Sequence, residues 1–166
     1  DFDLHRHQEF SKRSMEYFDS NSGEKYIPYV IESTYGLDRI FLAILFETLI
    51  VEELEGGDTR QELKIKPSLA PVKANILPLI KKSHSAKAIE IYNELKRYFM
   101  VSYDDAGNIG KRYRRGDAIG IPFAITVDNS TLENETVTIR ERDTMKQIVM
   151  NVRELKSYLE EKVKQF

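Results

Sequence analysis

The sequence predicts an α/β fold in which residues 69–166 form a five-stranded mixed sheet flanked by three helices. Three observations support this. An apolar strand, an amphipathic helix and a second strand follow one another from residue 69. A strictly alternating strand then turns back as a hairpin, and an apolar stripe at helical spacing ends the chain. The first 60 residues are predicted to add one antiparallel strand and one helix.

Composition narrows the function classes before any motif is considered. The 166 residues suffice for one domain or for a domain with part of another. Cysteine is absent, which excludes disulfides and thiolate metal sites. The net charge is −2, from 25 basic and 27 acidic residues, so nucleic-acid binding has to come from a local patch. His5 and His7 lie two residues apart without an obvious third ligand nearby, so we predict no metal site.

Neither membrane insertion nor export is expected. The most apolar run, Ile40–Phe46, is too short to span a bilayer, and no charged segment followed by an apolar one opens the chain. We therefore expect no membrane partner and a cytoplasmic location. The first residue is Asp1 and not methionine, from which we expect a fragment or a processed piece.

The first 60 residues are predicted to hold one strand and one helix. Tyr26–Ile31 alternates in polarity, which favours a strand. An apolar stripe that wraps most of Leu37–Leu54 favours a buried helix. Arg39 at the start of that helix needs an anionic partner, and Asp38, another carboxylate or an anionic ligand all satisfy this requirement.

The stretch Glu52–Lys66 is predicted to separate two domains. Charged residues dominate it, Gly56-Gly57-Asp58 favours a turn, and Pro67 and Pro71 stiffen its end. We therefore divide the chain into residues 1–60, a linker over residues 61–68, and a second domain over residues 69–166.

The second domain begins with a strand–helix–strand unit. Val72–Leu79 is typical of a buried strand, Ser85–Phe99 carries an amphipathic stripe, and Met100–Tyr103 is a second strand. A unit of this length implies a right-handed parallel crossover. Residues 107–120 are predicted to supply a second helix or helical turn, and Phe123–Val127 a third strand.

A hairpin and a final helix complete the predicted sheet. Asp128–Asn134 is polar and typical of a turn, after which Thr136–Arg140 alternates strictly, with Arg140 pointing outward. Gln147–Val152 returns as the second strand of the hairpin. The last helix is marked by apolar residues at helical spacing, which are Val152, Leu155, Leu159, Val163 and Phe166.

The stretch from Val101 to Phe123 holds the clearest candidate for a binding surface. Tyr113 is flanked on both sides by cations, which are Lys111, Arg112, Arg114 and Arg115. Cations that contact phosphates and a ring that stacks on a base suit a single-stranded nucleic acid. A solvated basic helix start between two strands accounts for the same residues equally well at this point.

The predicted topology brings further polar residues to this stretch. Ligands of open α/β sheets lie beyond the carboxyl ends of the parallel strands, where Tyr103, Asp104 and Asp105 are placed. Arg140 and Arg142 are predicted to project from the hairpin and to extend the same surface. The two acids either contact a ligand or pair with the adjacent cations.

Five stretches resemble, in order, successive parts of the dimeric class II glycyl-tRNA synthetases. Motif 3 of these enzymes is matched by YIPYVIESTYGLDRIFLAIL, and the segment before it by DFDLHRHQEFSKRSMEYFD. Blocks of their carboxy-terminal anticodon-binding domain are matched by LAPVKANILPL, YDDAGNIGKRYRRGDAIGIPF and TVTIRERDTMKQ. The resemblance implies a partial class II catalytic domain, with an antiparallel strand and the motif 3 helix, ahead of a class II anticodon-binding domain.

The resemblance implies three roles in the catalytic segment. Arg39 aligns with the motif 3 arginine that holds ATP, Glu32 with a carboxylate that receives the ammonium group of glycine, and Thr34 with a serine that crowds the glycine pocket. Ser33 replaces the usual proline, which loosens the turn. Nothing in the chain resembles motifs 1 and 2. We therefore expect it not to activate glycine alone, because the charge that develops in the reaction needs all the cations in place together.

In the second domain, the resemblance implies contacts to the two cytosines of the glycine anticodon. We predict that Arg112, Arg115, Asp117, Arg142, Arg140, Tyr103 and Tyr113 make these contacts, the tyrosines by stacking. Ala118 replaces a glutamate that is usual at this place, so one acidic contact is expected to be absent.

The leading hypothesis is a part of a glycine–tRNA ligase that binds tRNA(Gly). The intact enzyme would use glycine and ATP with Mg²⁺ and would act as a homodimer, and we expect no cofactor on this chain itself. One alternative is a non-catalytic accessory protein that reuses the fold, similar to the accessory subunit of the mitochondrial DNA polymerase, although Glu32 and Arg39 argue against it. Another is a split-gene subunit whose partner chain supplies motifs 1 and 2.

Overall fold

The computed structural model describes residues 2–54 and 56–164, which form two compact units, one up to residue 39 and one from residue 40 onward. In the first unit, helix α1 (Phe2–Ser11) precedes a two-residue antiparallel ladder between β1 (Tyr17–Phe18) and β2 (Lys25–Tyr26). The strand predicted over Tyr26–Ile31 is wrong beyond Tyr26. Its pairing with β1 ends there, and Pro28 has no N–H group to continue a ladder.

Helix α2 (Leu37–Thr48) is shorter than the predicted helix over Leu37–Leu54, because the chain passes directly into strand β3 (Leu49–Glu53). β3 pairs antiparallel with β4 (Thr59–Leu63), with Val51 opposite Gln61. The β-branched Ile50 and Val51 favour a strand, and two glycines with positive φ, Gly56 and Gly57, form the turn.

The prediction that α2 is buried is also wrong. No residue of α2 is buried, and Phe41 and Phe46 are largely exposed. One side of the helix borders residues 64–69, but an open groove of about 610 Å³ lies between them. The apolar stripe therefore keeps its contact with solvent.

Residues 61–68, predicted to be a linker, begin within β4 and are packed. Glu62 and Ile65 are buried, and the amide of Lys64 donates to the carbonyl of Thr48 at 2.7 Å. β4 also lies against the helix of residues 109–118, described below. The assignment of catalytic and anticodon-binding domains to residues 1–60 and 69–166 remains a prediction.

The predicted five-stranded mixed sheet is confirmed. Its strands are β5 (Ala74–Pro78), β6 (Val101–Tyr103), β7 (Phe123–Val127), β8 (Thr136–Glu141) and β9 (Gln147–Asn151), in the order β6-β5-β7-β8-β9. β5 is parallel to both β6 and β7, with Ile76 opposite Tyr103 on one side and Ile125 on the other. β8 and β9 follow as an antiparallel hairpin, with Ile139 opposite Ile125 and Ile148.

In the described part of the chain, four α-helices accompany the sheet where three helices were predicted: α3 (Lys81–Leu95), α4 (Ile109–Ala118), α5 (Asn129–Asn134) and α6 (Leu155–Lys164). The additional helix is α5, which replaces the polar turn predicted over Asp128–Asn134. Asp128 accepts from the amide of Thr131, whose hydroxyl accepts from the amide of Asp128, and this reciprocal cap starts the helix. Phe166, predicted to belong to the last helix, lies outside the described residues. None of the described helices is long and apolar enough to cross a membrane.

The two faces of the sheet are chemically different. One face carries an apolar core with α3 and α6, formed by Ala74, Ile76, Ala88, Ile91, Leu95, Val101, Phe123, Ile125, Val127, Val137, Ile139, Leu155 and Leu159. The opposite face presents Asn75, Thr126 and Arg140, all buried, toward α4. One side of the strands therefore buries the apolar core, and the other buries hydrogen-bonding side chains together with Leu77.

The turn after α4 requires a glycine. Gly120 has φ +81°, and a Cβ atom there would come within 3.1–3.2 Å of the side chains of Ile65 and Leu63. This close approach brings the end of β4 against the turn that leads into β7.

We expect Gly120→Ala to destabilise residues 40–166 more than Gly107→Ala does. Gly107 has φ +76° with nothing within 4 Å of an added Cβ atom, so its change costs only the left-handed backbone, about 1–2 kcal/mol. Gly120→Ala adds overpacking against Ile65, worth about 1–3 kcal/mol more. Urea unfolding of both variants measures the difference, and equal losses would contradict the close packing of β4 on this turn.

Candidate nucleic-acid interface

The carboxyl ends of the parallel strands lead into a polar edge of the sheet. β6 ends at Tyr103, whose hydroxyl donates to Ser85 Oγ at 3.0 Å and contacts Asp105 Oδ2 at 3.3 Å. α4 starts beyond it, and the side chain of Asn108 caps it by accepting from the amide of Lys111 at 2.9 Å. The helix, its cap and the end of β6 thus lie together at the edge where ligands of such sheets bind.

Arg115 is the predicted contact residue with the most accessible guanidinium group. Its side chain is 48% exposed, and its Nε and Nη2 atoms lie 3.1 and 2.6 Å from Asp104 Oδ2. Lys81 Nζ lies 3.1 Å from Asp105 Oδ2, and this hydrogen bond lowers the pKa of Asp105. Asp104 and Asp105 therefore both pair with nearby cations, which is the alternative to ligand contact that the sequence left open. Exposed pairs of this kind exchange partners at little cost.

Arg112 is buried and hydrogen-bonds to the backbone. Its Nη1 atom donates to the carbonyl of Pro78 at 2.5 Å, and its Nε and Nη2 atoms donate to the carbonyl of Gly107 at 3.1 and 2.6 Å. These bonds join the end of β5 to the loop before α4. Direct contact of Arg112 with RNA stays a prediction, and its present partners indicate a structural role.

Asp117 is buried in the last turn of α4 and receives two arginines. Arg140 Nη1 and Nη2 donate to its two oxygens at 3.0 and 3.1 Å, and Arg60 Nε donates to Oδ2 at 2.9 Å. The prediction that Arg140 points outward is wrong, because α4 covers that face of the sheet and places Asp117 opposite it. The same arginine lies over the ring of Tyr113, with Cζ 4.9 Å from the centroid, and the Tyr113 hydroxyl lies 2.7 Å from Thr126 Oγ1.

Arg142 is also buried, so the prediction that it projects from the hairpin is wrong. Its guanidinium donates to the carbonyls of Leu63, Gly120 and Ile65 at 2.7–2.9 Å. Its Nε atom donates to Asp143 at 2.6 Å. It follows the end of β8, where β4 packs, and there it donates to backbone carbonyls of the chain after β4 and of the turn before β7.

Two buried residues of this surface, Arg60 and Glu62, were missed by the sequence reasoning. Arg60 is 2% exposed and donates to Glu52 Oε2 at 3.1 Å and to the carbonyl of Arg142 at 2.5 Å, besides Asp117. Glu62 Oε2 lies 3.5 Å from Arg60 Nη1, and Glu62 Oε1 lies 3.4 Å from Arg142 Nε. The only signal was that the two residues alternate on one side of a strand, in a stretch whose charge is typical of a linker.

Burial raises the pKa of Glu62, and the neighbouring Asp143 adds to this shift. At Asp143, burial is the largest influence and acts in the same direction, but the hydrogen bond and charge of Arg142, the hydrogen bond with Glu62 and the charge of Lys64 together lower the pKa. The pKa values of the two carboxyl groups are therefore shifted in opposite directions. Asp143 holds its charge beside Arg142, whereas Glu62 holds a proton to higher pH than an ordinary glutamate.

The residues predicted to contact glycine and ATP lie in the first unit. Glu32 and Thr34 are exposed in the irregular segment before α2, and the Thr34 hydroxyl donates to Glu32 Oε1 at 2.6 Å. Arg39 is exposed in the first turn of α2. Their roles toward glycine and ATP stay predictions. Across residues 2–54 and 56–164, no group of three His, Asp or Glu side chains is placed to hold a metal ion.

Comparison with known proteins gives matches of three kinds. The model of the anticodon binding domain family matches residues 68–162. Proteins named glycine–tRNA ligase are 51% identical over 164 residues in Clostridium acetobutylicum and 49% identical over 163 residues in Geobacillus kaustophilus. The alignments include 99% and 98% of this chain but only 35% of either relative, so the chain spans about a third of their length. The RNA binding domain of threonyl-tRNA synthetase from Cryptosporidium parvum Iowa II has a TM-score of 0.55 and 25% identity, over 60% of this chain and 25% of that one.

We expect Asp117→Asn to lower the free energy of unfolding by about 3–5 kcal/mol, because it removes the carboxylate that pairs with the buried guanidinium of Arg140 and one of the carboxylates that pair with Arg60. Asp58→Asn is the matched control. Asp58 pairs with Arg114, which lies on the same helix as Asp117, but this ion pair is exposed to solvent. The change should therefore leave the free energy of unfolding nearly unchanged. Chemical unfolding of both variants compares them. If Asp117→Asn loses as little unfolding free energy as Asp58→Asn, the buried carboxylate does not stabilise the structure.

We expect Glu62→Gln to gain stability relative to the wild type as the pH rises from 4 to 7. A raised pKa means that the folded state favours protonated Glu62, so this stabilising contribution is present below the ordinary pKa near 4.5 and is lost above it. Glutamine resembles the protonated form and does not titrate. Unfolding free energies at several pH values test this, and a difference that is constant or of opposite slope would contradict it.

Proposed function

Because the chain belongs to the family of anticodon-binding domains, we propose that residues 69–166 recognise the anticodon of a glycine tRNA as part of a glycine–tRNA ligase. The observation that carries the proposal is the identity of about half, over 99% of this chain, with a protein of that name. The likeness to an RNA binding domain of another tRNA synthetase agrees with it.

The accessible groups at the carboxyl edge of the sheet are the proposed contacts. The guanidinium of Arg115 suits phosphates or the carbonyl edge of cytosine, and the carboxylates of Asp104 and Asp105 suit the cytosine amino group. Tyr103 and Tyr113 are half-buried and offer ring edges or faces for stacking. The pairs that Arg115 and Lys81 now form with the two acids keep opposite charges side by side until RNA replaces one partner.

The buried members of the predicted set are proposed to act indirectly. The hydrogen bonds that Arg112, Arg140 and Arg142 donate go to protein atoms, and Asp117 accepts from two arginines. Exposing any of them to RNA would first cost these bonds. We therefore assign the direct contacts to Arg115 and its neighbours, and the shape of the surface to the buried residues.

The first part of the chain is proposed to serve the catalytic reaction of the longer enzyme. Glu32 would receive the ammonium group of glycine, Thr34 would narrow the pocket, and Arg39 would hold ATP, which reacts as its Mg²⁺ complex. The enzyme would be a homodimer in the cytoplasm. This chain by itself is proposed not to form glycyl-tRNA, because it has no counterpart of motifs 1 and 2.

The test is a titration of this chain with two RNA stem-loops, one carrying the glycine anticodon and one with both cytosines changed. We expect the first to bind better by about 1–3 kcal/mol per lost base contact. The logarithm of affinity should fall with the logarithm of salt by about 0.7 per phosphate contacted. Equal binding of both RNAs, or tighter binding of DNA, would favour the accessory-protein function instead.

Arg115→Ala is expected to reduce the preference for the glycine anticodon, because it removes the exposed guanidinium at the carboxyl edge. Arg114→Ala is the matched control, since Arg114 is equally exposed on α4 but pairs with Asp58 on the hairpin side. The same titration measures both. A larger loss for Arg114→Ala would place the RNA on the other side of the helix.

A further inference from the structure

We propose that Arg60, on the β3–β4 hairpin, is a positioning residue for anticodon recognition. It acts through Asp117 and Arg140 and sets the place of α4 and of the Tyr113 ring. The inference rests on the proposed function, and it extends the recognition unit to a residue ahead of the segment that matches the domain family, residues 68–162.

Arg60 connects three separate parts of the fold. Its Nε atom bonds Asp117 on α4, Nη1 bonds Glu52 on β3, and Nη2 bonds the carbonyl of Arg142 beyond β8. A guanidinium fixes the directions of its donors in one plane. The hairpin, the helix and the end of β8 are therefore held at defined angles, which an apolar side chain of the same size would not specify.

The contact is passed on to the surface in two steps. Asp117 accepts Arg60 on Oδ2 and Arg140 on both oxygens, so the carboxylate is fixed from two sides. Arg140 in turn lies against the ring of Tyr113. Tyr113 thus lies at the end of a chain of three contacts that starts on the hairpin.

The exposed Arg115, in the same last turn of α4 as Asp117, shows why the orientation of the helix matters. Arg115 lies on this helix and reaches Asp104 at the carboxyl edge. The start of α4 is fixed through Arg112 and the carbonyl of Gly107, whereas its end is fixed through Asp117. Loss of Arg60 releases one of the two partners at that end, and the exposed guanidinium is then held less exactly.

The experiment compares Arg60→Met, Arg60→Lys and Glu52→Gln in this chain, with the two RNA stem-loops and at a temperature where each variant is folded. Arg60→Met keeps an unbranched side chain but removes the guanidinium, and Arg140 still neutralises Asp117. We expect Arg60→Met to lose about tenfold of the preference for the glycine anticodon, while its affinity for the RNA with changed cytosines stays within about twofold. Arg60→Lys, which keeps the charge without the planar fork, should fall between. Glu52→Gln, which changes a partner of Arg60 away from α4, should match the wild type.

The ring resonances of Tyr113 provide a readout that does not depend on RNA. NMR of the ring should show a shift in Arg60→Met and Arg60→Lys and none in Glu52→Gln. A wild type without anticodon preference would refute the proposed function, but the ring shift would still report the positioning. If Arg60→Met does not fold, Arg60→Lys decides. A folded variant with the wild-type preference and an unmoved Tyr113 ring overturns the inference.

Discussion

The structure of residues 40–166 depends on one buried carboxylate, that of Asp117. It accepts hydrogen bonds from Arg140 on β8 and Arg60 on β4, which are 23 and 57 residues away in sequence. Charges taken out of water are tolerated only when they are paired and hydrogen-bonded, so each group here requires the others. Arg142 adds the turn before β7 and the end of β4 to the same cluster. Helix, sheet and hairpin are thereby joined by polar contacts, in addition to the apolar packing of Leu63 and Ile65 on the turn after α4.

The apolar face of the sheet mainly stabilises the fold, and the polar face mainly fixes the position of α4. The apolar face with α3 and α6 removes hydrocarbon from water, and this effect is large but non-directional. The polar face with α4 contributes less net stability, because its hydrogen bonds replace those to water. Its bonds are directional, however, and they fix the helix that carries Tyr113 and Arg115 to the carboxyl edge. A surface that distinguishes bases needs its contacts at fixed positions, which is what the polar face supplies.

The apolar part of this fold was predictable from sequence and the polar part was not. Val137 and Ile139 alternate with polar residues, so the strand and its inward face follow directly from the pattern. Arg140 and Arg142 continue the same alternation, and nothing local shows that a helix with a carboxylate covers them. The hairpin was missed for the same reason, since Arg60 and Glu62 have the composition of a linker and their partners are distant. The boundary between α2 and β3 was hidden because apolar residues resume at Leu49, directly after Glu47 and Thr48, with no glycine or proline to mark the end of the helix.

Native-state hydrogen exchange of the hairpin amides tests the central claim most directly. If the Asp117 cluster makes the hairpin part of one cooperative unit, the paired amides of β3 and β4 should open with the same free energy as those of β5 and β7, to within about 1 kcal/mol. Exchange from the hairpin more than tenfold faster, with the central strands still protected, would contradict the claim. It would show that β3 and β4 open on their own and that Arg60 does not hold them to α4.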